Sequence, residues 1–440
     1  MIVSCIRSAL LLALAMSALP ALAHAAAPGA NTPALLGAPI EFYLFGLTLL
    51  GVAIFHHRTL EVALTGLVAV LAYQGFVSGF PTGFGVAALG KHLLHEWVIL
   101  TNLMLLLVGF ELLSNQFERS NLPDHLPSLL PDDWTGGVAL LAIVFAMSAF
   151  LDNIAAAVIG GVMARHVYQG RVSVGFLAAI VACANAGGAG SVIGDTTTTI
   201  MWLKGVSPLT VLSAYVAAGV AFVVCGLGGA WSQQRHQPIM ARGEPGHPLQ
   251  WRRIWIVVFI LVAAVTTNIA ANAFTKGEES APWLGLAVWG ALILTSFVAK
   301  PDWSVARPAL KGASFLVALV AAASLMPVKT LPAPSWQSTM GLGFLSAVFD
   351  NIPLTALALE QGGYDWGLLA YAAGFGGSMI WFGSSAGVAL TNLYPEGRSV
   401  FRWLREGWFV PVAYVLGFLA MVLLLGWNPD ASAEGLAPSH

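Results

Sequence analysis

The sequence predicts an all-α polytopic membrane protein built as two inverted repeats. It has about ten transmembrane helices plus two re-entrant hairpins, with broken helices at a polar centre. Three observations carry that prediction: an apolar composition, a succession of apolar segments of membrane-spanning length, and a duplicated Asp-Asn-Ile motif that interrupts two of them. Of 440 residues, 58% are hydrophobic and 9% charged, against roughly 25% charged in a soluble domain. That balance excludes a soluble enzyme, a nucleic-acid binder and a disordered chain, and makes lipid the solvent of the fold. Cys5, Cys183 and Cys225 offer neither a disulfide framework nor a zinc-type spacing. The ten histidines share no helical spacing and read as interfacial.

In chain order, residues 1–25 carry Arg7, an apolar run from Ala9 to Leu19 and the triplet Ala23-His24-Ala25. This pattern reads as a signal peptide cleaved near Ala25. Apolar segments follow at 40–55, 60–80, 94–114, 172–204, 208–230, 254–274, 282–299, 311–327, 367–395 and 408–427. Each is read as one crossing, which takes about 20 residues. Segments 134–165 and 336–360 are too long for one crossing and break near their middles, at Asp152-Asn153 and Asp350-Asn351-Ile352-Pro353. Each reads as a hairpin that enters and leaves on one side. The domains are then 26–231 for the first repeat, 232–253 for a cytoplasmic linker, 254–427 for the second repeat and 428–440 for a polar tail.

Charge tests this count. With the mature N terminus outside, fourteen Lys and Arg fall in cytoplasmic segments, whereas only Lys91, Lys204, Lys276 and Lys329 fall outside. The asymmetry obeys the positive-inside rule, and it does so only if both interrupted segments are re-entrant. The duplication is explicit: Ser148-Ala149-Phe150-Leu151-Asp152-Asn153-Ile154 matches Ser346-Ala347-Val348-Phe349-Asp350-Asn351-Ile352 at five of seven positions. Each copy precedes a Gly-rich break, Gly187-Gly188-Ala189-Gly190 in one half and Gly374-Phe375-Gly376-Gly377 in the other. Five crossings separate the copies, so the repeat is inverted, and paired interrupted segments are the best sequence pointer to a transport site.

The residues that carry chemistry lie at those breaks. An ionisable group costs about 2.5–3.5 kcal/mol or more at the bilayer centre, and three sit in apolar segments with no Lys or Arg in the same stretch: Asp152, Asp195 and Asp350. Their alternative role is to cap broken helices. Around them the first half supplies Asn153, Asn185 and the run Thr196-Thr197-Thr198-Thr199. The second supplies Asn351, Thr355, Ser378, Ser384, Ser385 and Asn392. Carboxylates, hydroxyls, amides and carbonyls freed at helix breaks are the ligands a hard cation takes. Desolvation without a basic neighbour favours the protonated acid, so a proton and a metal cation compete for such a site. Asp152, Asn153 and Asp195 form the expected core of metal-cation ligands. Glu111 is a candidate relay, whereas Glu41, Glu61 and Glu96 read as solvated segment ends. The run Gly85-Val86-Ala87-Ala88-Leu89-Gly90-Lys91-His92 imitates a phosphate loop, but His92 replaces the Ser or Thr that such a loop needs. No nucleotide, nucleic acid or cofactor is expected, and an ion gradient is the energy source.

Asp152-Asn153-Ile154, the run from Asn185 through Ile193-Gly194-Asp195-Thr196-Thr197-Thr198-Thr199, Asp350-Asn351-Ile352-Pro353 and Gly383-Ser384-Ser385-Ala386 together resemble the NhaD-type sodium/proton antiporters. These belong to the ion transporter superfamily, with arsenite permeases and citrate carriers as relatives. The resemblance covers residues 94–425. It implies a homodimer in which a scaffold holds two transport regions that move elevator-fashion. It also implies that Asp152, Asn153, Asn185, Asp195, Thr197, Thr198 and Ser384 act in ion binding or coupling. Ala155-Ala156 departs from the family, which commonly shows Pro and a hydroxyl residue there. The sequence thus leads to exchange of sodium, with lithium as a second candidate, for protons across a bacterial-type inner membrane. The alternative is a cation-coupled carrier of citrate, dicarboxylate, arsenite or a similar anion, which three acids without a nearby base disfavour.

Overall fold

Among the described residues the long apolar runs fold as helix, and the helices end where capping side chains and glycines fall. The computed structural model describes residues 34–35, 38–55, 58–80, 85–125, 130–239, 248–275, 281–328, 331–349 and 351–429. The leader read over 1–25, Asp350, the middle of the linker and most of the tail lie outside the described residues.

A two-residue antiparallel pairing of Ala34–Leu35 with Ala38–Pro39 precedes α1 (Ile40–Ile54), α2 (Thr59–Tyr73, prolonged by a π turn at Gln74–Ser78) and α3 (Gly85–Glu118). Then come α4 (Trp134–Ser148), α5 (Asn153–Val167), α6 (Val174–Ala189), α7 (Thr196–Leu203) and α8 (Tyr215–His236). Helices α9 (Trp251–Thr275), α10 (Trp283–Thr295) and α11 (Ala306–Ala323) follow the linker. The chain closes with α12 (Trp336–Ser346), α13 (Asn351–Gln361), α14 (Trp366–Gly376), α15 (Ser385–Leu393), α16 (Val400–Glu406) and α17 (Phe409–Leu425).

By length and composition, Thr59–Ser78, Ala87–Glu118, Pro208–His236 and Trp303–Ala323 can each cross a membrane. The pair α16 and α17, bent by 62°, makes a fifth span if counted as one. Other apolar helices are shorter, among them α4, α5 and α6. A 15-residue helix rises about 22 Å, less than the roughly 30 Å of a hydrocarbon core. The protein is therefore an all-helical, multi-pass membrane protein in which several apolar helices are shorter than a full crossing.

Local chemistry sets those stops. Ser173 Oγ accepts from the Phe176 N–H at the start of α6, and Ser335 with Ser338 forms a capping box at the start of α12. Asp365 accepts from the Leu368 N–H at the start of α14 and from the Asn428 N–H beyond α17, tying the two ends together. Helix α5 ends at Val167 and is closed by Gly170, whose φ of +77° lets its N–H reach back to the Arg165 carbonyl at 2.8 Å.

Packing sorts the helices into two groups. Helices α1, α2, α3, α9, α10 and α11 pack mainly on one another, and α4–α8 with α12–α17 form the second group. All sixteen residues of α6 and all eleven of α14 are buried, so these two helices are the second group's core. Tyr371 and Tyr414 stack with centroids 5.8 Å apart, and the Tyr414 hydroxyl donates to the Met340 carbonyl at 2.7 Å, which joins α14, α17 and α12. The groups meet where α3 lies against α7 and α11 against α13. The same helices bound the site.

Candidate functional site

The site is built on two breaks in the backbone. In the first, α6 stops at Ala189 and α7 starts at Thr196; in the second, α14 stops at Gly376, a 3-10 turn spans Gly377–Met379, and α15 starts at Ser385. Each break is closed by the turn of a neighbouring helix pair, and the fastening is duplicated. Ser148 Oγ donates to the Ala184 carbonyl at 2.5 Å, and Ser346 Oγ donates to the Ala373 carbonyl at 2.8 Å. A Cβ at Gly187 would overlap the Phe145 carbonyl oxygen, and a Cβ at Gly376 would overlap that of Gly343. Glycine is required at both positions by the close approach of two backbones.

The carboxylate of Asp195 lies at the start of α7, 2% exposed. It accepts from the Thr197 N–H at 3.2 Å and from the Thr197 hydroxyl at 2.7 Å, so it does cap the broken helix. It also faces the other half, because a Cβ on Gly374 would stand 2.8 Å from Asp195 Oδ2. Asp152 precedes α5 at the equivalent point and makes no capping hydrogen bond with its side chain. Its charged neighbours are Glu111 and Asp195. The capping role is therefore formed by Asp195 and only approached by Asp152, whose carboxylate lies near the Asn153 and Ile154 N–H groups.

Carboxamides complete the centre. Asn153 Nδ2 donates to Asn185 Oδ1 at 3.1 Å, and Asn185 Nδ2 donates to Ser378 Oγ at 2.9 Å. The Ser378 carbonyl in turn accepts from the Trp403 indole at 3.1 Å. All four side chains are buried. This chain runs from the start of α5, through α6, into the 3-10 turn that follows α14. Buried amides are held when each donor and acceptor is satisfied, and here each amide fixes the next.

The other predicted residues divide. Thr197 reaches Asp195, whereas the hydroxyls of Thr198 and Thr199 donate to carbonyls, Thr198 to Ser191 and Asp195, and Thr199 to Val192 and Asp195. Thr196 opens α7 and is half-buried. Ser384 caps α15 by accepting from the Gly387 N–H at 3.3 Å, Ser385 begins that helix, and Asn351 is buried at the start of α13 with its carbonyl bonded by Thr355. Three expectations about segment ends are corrected. Glu41 and Glu96 are buried, not solvated, and His92 is buried with Nε2 3.0 Å from Ser324 Oγ. Glu96 is held by Lys204 Nζ at 3.1 Å, which also binds Glu360 at 2.8 Å. That cluster joins residues up to 264 positions apart (360 less 96), and no local spacing announces it.

The fold and the site define a multi-pass helical membrane protein with paired polar breaks in its core. In sequence the chain is similar to sodium/proton antiporters. It is 26% identical to Sodium/proton antiporter 1 of Arabidopsis thaliana over 323 residues, which is 63% of this chain and 54% of that protein. It is 26% identical to Sodium/proton antiporter 2 of the same plant, over 62% of this chain and 71% of the relative. A shorter stretch of 103 residues is 34% identical to the Na(+)/H(+) antiporter NhaD of Alkalimonas amylolytica, covering 20% of that protein. The chain thus spans about half the length of the first of these relatives. They are transporters, not enzymes. No family model matches the chain.

Proposed function

We propose that the protein exchanges sodium, with lithium as a second candidate, for protons across the inner membrane. The observation that carries this reading is the buried Asp195 carboxylate, held by Thr197 and facing Gly374 of the other half beside the Asn153–Asn185–Ser378 chain. A desolvated carboxylate is neutralised equally well by a proton or by a small hard cation that its oxygen-rich surroundings can coordinate. Competition of the two at one acid is the chemistry of antiport. Asp152 and Asp195 alternate between proton and cation, and Asn153, Asn185, Thr196, Thr197 and Thr198 complete coordination. Asp350, Asn351, Ser384 and Ser385 form the opposing side. The antiporter names of the relatives support the same reading.

The architecture proposed with it is an inverted repeat of ten crossings, with α4/α5 and α12/α13 as re-entrant hairpins and the mature N terminus outside. The duplicated Ser148 and Ser346 hydrogen bonds support the repeat. Lys204 supports the hairpins: its pairing with Glu96 and Glu360 requires an even number of crossings between each two of the three. Counting either hairpin as one crossing makes two of those three numbers odd. By its likeness to the antiporters the chain acts as a homodimer in which the second helix group moves against the first.

Everted vesicles with a pH-sensitive dye test the exchange. Sodium should dissipate a preformed pH gradient, and Asp195→Asn should abolish the signal. Uptake of labelled citrate without any sodium-dependent proton movement would instead establish an anion carrier. A tag near Gly363 should be reached from outside and one near Gly243 from inside, and the reverse would sink the hairpins.

A further inference from the structure

We infer that Lys204 is the bolt of an outer gate: its ion pair with Glu96, from the other helix group, closes the ion site on that side and must part in every transport cycle, while Glu360 holds Lys204 within its own group. This rests on the exchange reading and extends it to the residues that control access. Helices α7 and α13 pack side by side, and each begins at the site, α7 directly after Asp195 and α13 at Asn351. Each then runs for nine residues, from Asp195 to Lys204 and from Asn351 to Glu360, which at 1.5 Å per residue lifts its far end about 13 Å away from the site. Lys204 joins those far ends to each other through Glu360 and to α3 through Glu96.

The position of the cluster gives it this role. Contacts between the two helix groups concentrate where α3 meets α7 and α11 meets α13, and the Lys204 cluster sits on that seam. The same edge carries His92 on Ser324, at the end of α11, and Gln74 Nε2 on the Leu325 carbonyl at 2.5 Å. His95, exposed, stands 4.0 Å from Glu96. Asp195 is closed off in this arrangement, so an ion arriving from the outer side needs the seam to open. The side chains of Lys204 and Glu96 are only 14% and 4% exposed. The paired side chains block the path while the gate is shut, and separating Lys204 from Glu96 exposes both groups to water, which compensates them.

A reversible cross-link tests whether the pair must separate. Cys5, Cys183 and Cys225 are replaced, Glu96→Cys and Lys204→Cys are introduced together, and sodium-dependent proton movement is measured in proteoliposomes. A flexible bis-methanethiosulfonate spans the site better than a disulfide, which needs Cα atoms within roughly 7 Å. Cross-linking should lower exchange about tenfold or more, because a gate that cannot open halts a cycle limited by such motions, and reduction should restore it. Full exchange with the cross-link verified by mass would overturn the gate. If no version of the chain exchanges sodium, the function reading fails and the gate is judged by labelling. Ser378→Cys, reached by an impermeant maleimide from outside, should react faster when Lys204→Met is added, and equal rates would overturn the gate.

Discussion

The two breaks share a backbone and differ in chemistry. In both, a serine from the neighbouring turn fastens the helix end, a glycine lets two backbones touch, and a polar side chain caps the helix that restarts. The cap is a carboxylate in one half, Asp195, and a hydroxyl in the other, Ser384. The position 189 residues after Asn185 is Gly374, as Ser384 follows Asp195 by 189. So where the first half carries an amide, the second carries no side chain, and the space admits the Asp195 carboxylate. The difference teaches that two breaks of like backbone can differ in charge, with a carboxylate at one restart and a hydroxyl at the other. A second carboxylate at the hydroxyl position would add repulsion between desolvated acids.

Asp195→Asn against Ser384→Ala is the widest test of this asymmetry. Asparagine keeps the cap but cannot lose a proton, so sodium-dependent exchange should vanish. Ser384→Ala should lose a cap, about 0.5–2 kcal/mol of stability, and one neutral oxygen of the site, so exchange should weaken but persist. Equal losses of exchange would break the comparison.

Gly187→Ala and Gly376→Ala should behave alike, since each forces a Cβ into a carbonyl oxygen. Overpacking of about 1–3 kcal/mol or more should lower the yield of folded protein from both, measured by detergent-resistant monodispersity. A tolerant member of the pair would mean the frames are less alike than their contacts. Gly374→Ala has no such counterpart. Its Cβ displaces the Asp195 carboxylate, so the apparent sodium affinity should fall by about tenfold, the factor that 1.4 kcal/mol sets, with folding little changed.

Ser378→Ala removes the acceptor of Asn185 Nδ2 and should cost about 1 kcal/mol, read as a fewfold rise in the sodium concentration for half-maximal exchange. The smallest effect belongs outside the membrane. Asp302 accepts from the Ser304 hydroxyl and N–H and pairs with Arg119 at 3.0 Å. The Ser304 bonds first, and Arg119 after them, hold its carboxyl below the ordinary aspartate range. That contribution is present above the unfolded-state value and is lost as pH falls through the lower folded one. Asp302→Asn should therefore remove a small pH-dependent part of thermal stability and leave exchange untouched.

Much of the site was legible because it breaks patterns the rest of the chain obeys. Asp152, Asn153, Asn185, Asp195 and the threonine run interrupt apolar segments, and interruption is visible in one dimension. Less legible was the division of labour within that run. Thr197 binds the carboxylate while Thr198 and Thr199 serve carbonyls, because hydroxyl direction depends on helix phase around a break whose shape composition does not give. Glu96 read as a solvated end for a similar reason: its partner Lys204 is 108 residues away.

By itself the sequence determined the solvent, the helical apolar segments, the recurring Asp-Asn-Ile motif and the acids set within it. Each follows from local composition and from the cost of charge in lipid. Only the tertiary structure decided that Asn185 meets Ser378, that Asp195 faces Gly374, and that Lys204 binds two acids across the seam. Those contacts join helices distant along the chain, and their pairing is selected by packing of whole helix faces, which no local pattern encodes.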